Sequence, residues 1–119
     1  MSQASVPEGS AKPIARRNRR VSIRYRCAPA TVGKVLSTDD HEYQRAWILD
    51  LSLHGIGMEL PRPIEAGRLI IVSLRSSDGM TVHELSAKVM HCDLSLQGAW
   101  YVGCELTTPL SRDQLDQLL

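Results

Sequence analysis

Trp47-Ile48-Leu49-Asp50-Leu51-Ser52-Leu53-His54-Gly55-Ile56-Gly57-Met58-Glu59-Leu60 is the stretch that decides the fold class. Trp47, Leu49 and Leu51 alternate with Ala46, Ile48 and Asp50, and Ile56, Met58 and Leu60 resume the same period after a break. Successive side chains of an extended chain point to opposite faces, so period two marks half-buried strands. The break runs through Ser52 to Gly55, a hydroxyl and a glycine suited to a turn. The stretch therefore predicts two strands joined by a tight connection.

Working outward, the same period recurs on both sides. Upstream, Val21, Ile23, Tyr25 and Cys27 alternate with Ser22, Arg24 and Arg26, which sets Tyr25 inward. A further strand is predicted over residues 30–36, after Pro29, with a turn at Thr38-Asp39-Asp40. Downstream, Pro61, Pro63 and Gly67 end the second strand. Residues 69–74 form an almost unbroken apolar run, suited to burial on both faces. Ser76-Ser77-Asp78-Gly79 is a hairpin signal, since Asp-Gly supplies the positive φ of a tight turn. The partner strand is predicted over residues 80–91, and Trp100, Val102, Cys104 and Leu106 alternate on a last strand.

The period then changes. Ser111 stands three residues before Gln114, the spacing of a capping box, and Leu115, Leu118 and Leu119 share a helical face. Six or seven short strands with one terminal helix predict an all-β fold, a small antiparallel barrel with a short C-terminal α-helix. Residues 1–13 are rich in Ser, Ala, Pro and Gly and have little to bury, so they are expected to be a flexible N-terminal tail before a barrel domain at 14–119.

Composition fits one soluble globular domain: 119 residues, 43% hydrophobic and 23% charged. No run approaches the roughly 18 apolar residues of a membrane span, and the first fifteen residues lack the apolar core of a signal peptide. A cytoplasmic location is expected. Cys27, Cys92 and Cys104 are odd in number and include no CxxC, so they read as small apolar fillers and not as a disulfide framework.

The net charge of +1 conceals an asymmetry. Residues 1–34 carry eight Lys/Arg against Glu8 alone, whereas 35–119 carry six against twelve acids, giving +7 and −6. Arg16, Arg17, Arg19, Arg20, Arg24 and Arg26 crowd into eleven positions. Such a cluster is either a solvated basic segment or a grip for something anionic. A guanidinium is planar with five donors and can fork onto a phosphate or onto the O6/N7 edge of guanine. The segment Asp50-Leu51-Ser52-Leu53-His54-Gly55 is either a plain turn or a ligand reader. A carboxylate accepts two parallel hydrogen bonds, which matches the N1–H and N2–H₂ donors of guanine.

An RxxxR before the first strand and a DxSxxG later in one β-rich domain resemble the PilZ family. The residues are Arg16-Arg17-Asn18-Arg19-Arg20 before Val21, then Asp50-Leu51-Ser52-Leu53-His54-Gly55-Ile56-Gly57. Trp100-Tyr101-Val102-Gly103-Cys104-Glu105-Leu106 is similar to the family's closing strand. The resemblance spans about residues 14–119. It implies a six-stranded barrel whose outer surface binds the bacterial second messenger cyclic di-GMP, with no further cofactor. Arg16 and Arg20 would grip phosphates and guanine O6/N7, Asp50 and Ser52 would read guanine, and Gly55 would keep the turn open. Arg17, Arg19 and His54 are possible additional contacts. Arg20 and Arg24 form a second RxxxR; Arg16/Arg20 is preferred because Arg20 directly precedes the strand at Val21. The message would pass by contact with an effector protein.

Other classes fit less well. His41, His54, His83 and His91 lie in different segments with no HExxH or nucleophile elbow, so an enzyme is not expected. His91 and Cys92 are adjacent and on a regular strand would face opposite ways, which argues against a zinc site. Five aromatics offer little for a nucleic-acid stacking platform. A PilZ-like interaction module without ligand is the first alternative, and a nucleic-acid-binding barrel the second.

Overall fold

The computed structural model describes residues 23–28, 31–37 and 42–119. These form seven strands and one helix: β1 (Tyr25–Arg26), β2 (Val32–Ser37), β3 (Tyr43–Leu51), β4 (Gly55–Leu60), β5 (Leu69–Arg75), β6 (Val82–Leu94), β7 (Trp100–Leu106) and α1 (Arg112–Leu118). All pairings are antiparallel. The order β3-β2-β5-β6-β7-β4 closes on itself through β3–β4, giving a six-stranded barrel. β1 continues the edge that β2 makes along β3: Tyr25 and Arg26 pair with Leu51 and Asp50, and Val32 pairs with Trp47. The predicted barrel is therefore the observed one. The expected tail at 1–13, the arginines at 16–20 and the turn at Thr38-Asp39-Asp40 lie outside the described residues.

Closure removes the exposed edges that an open sheet would present. Alternate residues fill the interior. Val35, Ile48, Ile56, Met58, Leu60, Ile70, Val72, Val89 and Val102 are almost completely buried. α1 adds Leu115 and Leu118 to this core. Its start is the predicted capping box, with Ser111 Oγ accepting from Gln114 N at 3.0 Å and Gln114 Oε1 accepting from Ser111 N at 2.8 Å. Leu119 is the C-cap and stays partly exposed, so the apolar helix face consists of Leu115 and Leu118 only. The hairpin at Ser76–Gly79 also forms, with Gly79 at φ +78° and Asp78 Oδ1 accepting from Met80 N and Ser76 Oγ.

Two readings of the pattern are corrected. Residues 69–74 are not buried on both faces: Ile70, Val72 and Leu74 point inward, whereas Leu69 is 52% exposed, because the barrel has only one dry side. The alternation in β3 also changes phase. Ala46 and Ile48 are buried and Trp47 is 43% exposed, yet Leu51 is buried as well. A bulge between Ile48 and Asp50 in the pairing with β4 explains this. One extra residue on a strand flips the faces of everything after it. A second bulge between Val89 and His91, in the pairing of β6 with β7, does the same there.

Candidate functional site

The two bulges act on the same outer row of the barrel. Without them, β3 would send Asp50 inward after Ala46 and Ile48, and β6 would send His91 inward after Ala87 and Val89. With them, Leu51 and Cys92 turn toward the core, and Asp50 and His91 turn out. Cross-strand register then aligns Asp50, Gly57, Gly103 and His91 across β3, β4, β7 and β6, with Arg26 of β1 beyond Asp50. The row has an acid at one end, an imidazole at the other and two glycines as its floor.

Both glycines are there because side chains lie over them. A Cβ on Gly57 would stand 2.8 Å from the Tyr101 hydroxyl and 2.9 Å from either Asp50 carboxylate oxygen. A Cβ on Gly103 would stand 2.5 Å from His91 Cε1. The imidazole of His91 in turn stacks on Tyr101, ring centres 5.5 Å apart. Any larger residue at 57 or 103 has to push these groups off the barrel wall.

Arg24 closes the Asp50 end. Its Nη1 donates to Asp50 Oδ1 at 3.0 Å, and both side chains are largely covered. The ion pair joins residues 26 apart in sequence, at the one place where β1 meets the bulged end of β3. The sequence offered Arg24 only as the second member of the alternative Arg20/Arg24 pair; the structure gives it the Asp50 carboxylate as partner. Burial pushes the Tyr101 phenol above its ordinary value and the Asp50 carboxylate adds to this, while Arg24 pulls the other way. Tyr101 is thus a neutral donor at physiological pH. Burial first and Asp50 second push the Cys27 thiol up to about 11, as suits an inert filler.

Ser52 and Gly55 form the turn beside this row. Ser52 Oγ accepts from Gly55 N at 3.0 Å and from His54 N at 3.3 Å, and Ser52 N donates to Gly55 O at 3.0 Å. The hydroxyl therefore fastens the turn. Gly55 does not adopt a positive φ, which among the described residues belongs to Gly67, Gly79 and Gly98. It is constrained by space: a Cβ there would stand 3.0 Å from Cys104 O and 3.5 Å from Arg24 Nη2. His54 is exposed at the tip. Asp50, Ser52 and Gly55 are thus brought together, while Arg16, Arg17, Arg19 and Arg20 lie outside the described residues. Sequence reading missed Tyr101, Gly103 and His91 as neighbours of the motif. The only available signal was Gly-x-Gly after the turn and the lone glycine in the last strand.

Among the described residues no group of three or more His, Cys, Asp or Glu could hold a metal ion, and no helix is long and apolar enough to cross a membrane. No curated protein matches the chain in sequence. Its fold is similar to a solved structure of Bacillus subtilis Inhibitor of motility (MotI/DgrA), with a TM-score of 0.61 at 18% identity. That likeness covers 94% of this chain but 52% of the other, so the chain spans about half the length of that protein. The family model of the PilZ domain matches residues 15–119, which takes in the barrel, the glycine-floored row and the DxSxxG turn, and the chain belongs to the PilZ family.

Proposed function

We propose that this protein is a cyclic di-GMP receptor that binds the nucleotide on the outer row from Asp50 to His91 and signals by contact with a partner protein. The observation that carries the reading is the Asp50 carboxylate, turned outward by a bulge and set at the rim of a floor made of Gly57 and Gly103. The glycines let the Asp50 carboxylate, the Tyr101 hydroxyl and the His91 ring lie close against the barrel wall, and a guanine needs an acceptor pair at its edge. Guanine's N1–H and N2–H₂ would donate to the two oxygens of Asp50.

Arg24 bears on the order of events. Its guanidinium now satisfies one Asp50 oxygen, and guanine's donor edge has the same planar arrangement of N–H groups. As the base enters, Arg24 swings from the carboxylate to a phosphate, joining Arg16 and Arg20. Arg24 is thereby a member of the site, and the Arg20/Arg24 pair works beside Arg16/Arg20. Ser52 acts through the turn it fastens, and Tyr101 offers its neutral hydroxyl to a ligand oxygen. Two phosphate charges arriving among mutually repelling arginines would order the N-terminal segment against the barrel and create the surface a partner reads. Charge-assisted hydrogen bonds contribute roughly 1.5–3 kcal/mol each, so four or five support binding near −8 kcal/mol, about micromolar, after the segment is ordered.

The test is calorimetric titration of cyclic di-GMP into the wild-type protein, with GMP and cyclic di-AMP as controls. Saturable heat selective for the guanine dinucleotide is expected, and Arg20→Ala should weaken it at least about tenfold without unfolding the barrel. Absence of heat at high micromolar ligand would leave a PilZ barrel that acts as an interaction module alone.

A further inference from the structure

On a different side of the barrel, β2, β3 and β5, with Val82 at the start of β6, line an open hollow of about 570 Å³. Lys34, Arg45 and Arg75 line it, with Tyr43, Val32 and Val82. Lys34 and Arg45 are direct cross-strand partners, so two like charges face each other across a pair whose Cβ atoms are about 5 Å apart. Among the described residues, no carboxylate lies within salt-bridge distance of Lys34, Arg45 or Arg75. One acid, Glu84, stands at the margin, beyond Ser73 in the row that starts at Arg45 and Lys34. Arg75 is oriented by donation to Gly79 O at 3.2 Å. Cations without a carboxylate partner among the described residues are thus concentrated on a body whose sequence from 35 to 119 is net −6 even with Arg45 and Arg75 counted.

The apolar residues say what kind of anion fits. Val32 and Val82 are 42% and 51% exposed and border the hollow at one end, and Tyr43 borders it at the other. The cations of the central row lie between them. Rows of outward residues repeat about every 6.8 Å along a strand, as do alternate side chains of an extended peptide. An extended segment with acid between aliphatic side chains on one face therefore matches the hollow row for row. A nucleic acid matches less well: Lys34 Nζ already lies over the Tyr43 ring, 6.0 Å from its centre, and blocks stacking of a base there.

We infer that this hollow is a docking site for an acidic, aliphatic-bearing extended segment of a partner protein, held by Lys34, Arg45 and Arg75. None of these residues belongs to the row from Asp50 to His91, so the site stands whether or not that row binds cyclic di-GMP.

The probe is a blocked synthetic peptide presenting leucine and glutamate alternately on one face, with serine between them. It is titrated into the ¹⁵N-labelled full chain, against a control peptide with lysine for glutamate. Saturable amide shifts are expected at residues 32–34, 43–45, 73–75 and 82, lost with the control and suppressed by salt. The double variant Lys34→Thr/Arg45→Thr should weaken binding by about tenfold, and Arg75→Thr alone by about threefold, with the remaining spectrum unchanged. Shifts that are absent, that map elsewhere or that persist in both variants would overturn the assignment. So would stronger shifts from a thymidine oligonucleotide, which would make the face a nucleic-acid site. Concentration-dependent shifts without peptide would assign it to a second copy of the chain.

Discussion

Two sides of one barrel are built in opposite ways. The row from Asp50 to His91 is irregular: a bulge at each end, glycines in between, and a charged side chain already paired with Arg24. The hollow over β2 and β5 is regular: its pairings with β3 and β6 run without a register shift, and among the described residues its cations have no carboxylate within salt-bridge distance. A closed barrel with a dry interior fixes which face of each strand is apolar, so a strand that must bring a given polar side chain outward out of phase needs an inserted residue. The irregular side therefore records a demand on particular residues. The regular side obtains its chemistry simply by choosing which residues occupy positions that already face out.

The largest expected effect comes from filling the irregular floor. Gly57→Leu puts a side chain where the Asp50 carboxylate and the Tyr101 hydroxyl now lie. Both are ends of side chains that can swing away, so the stability cost should sit near the low end of the roughly 1–3 kcal/mol typical of overpacking. Cyclic di-GMP binding should fall by at least about a hundredfold, because floor and acceptor are lost together. Thermal unfolding and titration on the same sample check both halves. A variant that binds normally would place the ligand away from this row.

That comparison also explains what was legible in the sequence. Regular features could be read directly: the Asp78-Gly79 hairpin, the Ser111/Gln114 cap and the inward set Val102, Cys104 and Leu106 each follow from a local rule. The DxSxxG turn was readable as a motif. The bulges were not, because an inserted residue has no compositional mark, and strict period two groups Asp50 with Ala46 and Ile48. Without the bulges, Gly57 and Gly103 have no visible reason, and His91 has no neighbour. The Arg24–Asp50 pair was hidden for another reason: it depends on β1 pairing with the far end of β3, a contact set by topology and not by spacing.

A second, smaller effect separates the two sides by pH. The irregular side covers Cys104, whose thiol burial pushes up to about 12, Cys27 at about 11, and Tyr101, also raised. The thiols start from 9.0. Folded values above unfolded ones mean that the unfolded chain releases protons first as pH rises. Their contribution is therefore complete below about pH 9 and is lost progressively toward the folded values. The slope approaches about 1.4 kcal/mol per pH unit for well-buried Cys104 and is less for half-buried Cys27. Urea unfolding from about pH 8 to about pH 11 should show stability falling, and Cys104→Val should flatten the fall. An unchanged slope in that variant would mean the alkaline loss arises elsewhere.

The smallest effect tests whether the regular side really holds its charges at a cost. Like charges directly opposite in a sheet destabilise by roughly 0.2–1 kcal/mol, and threonine suits an exposed strand position. Lys34→Thr relieves the Arg45 repulsion but also gives up the contact of Lys34 with the Tyr43 ring at 6.0 Å, itself worth about 0.5 kcal/mol. The net expectation is a gain of a few tenths of a kcal/mol at low ionic strength. Salt identifies its origin. A gain from relieved repulsion shrinks as the Debye length falls below the separation of the charges, whereas a gain from strand propensity does not. Stability that rises at low salt and converges with wild type at high salt would show that the hollow keeps its cations against folding, as a face selected for binding does. A loss at every salt concentration would show that Lys34 is there to cover Tyr43, and the contrast between the two sides would narrow to their bulges.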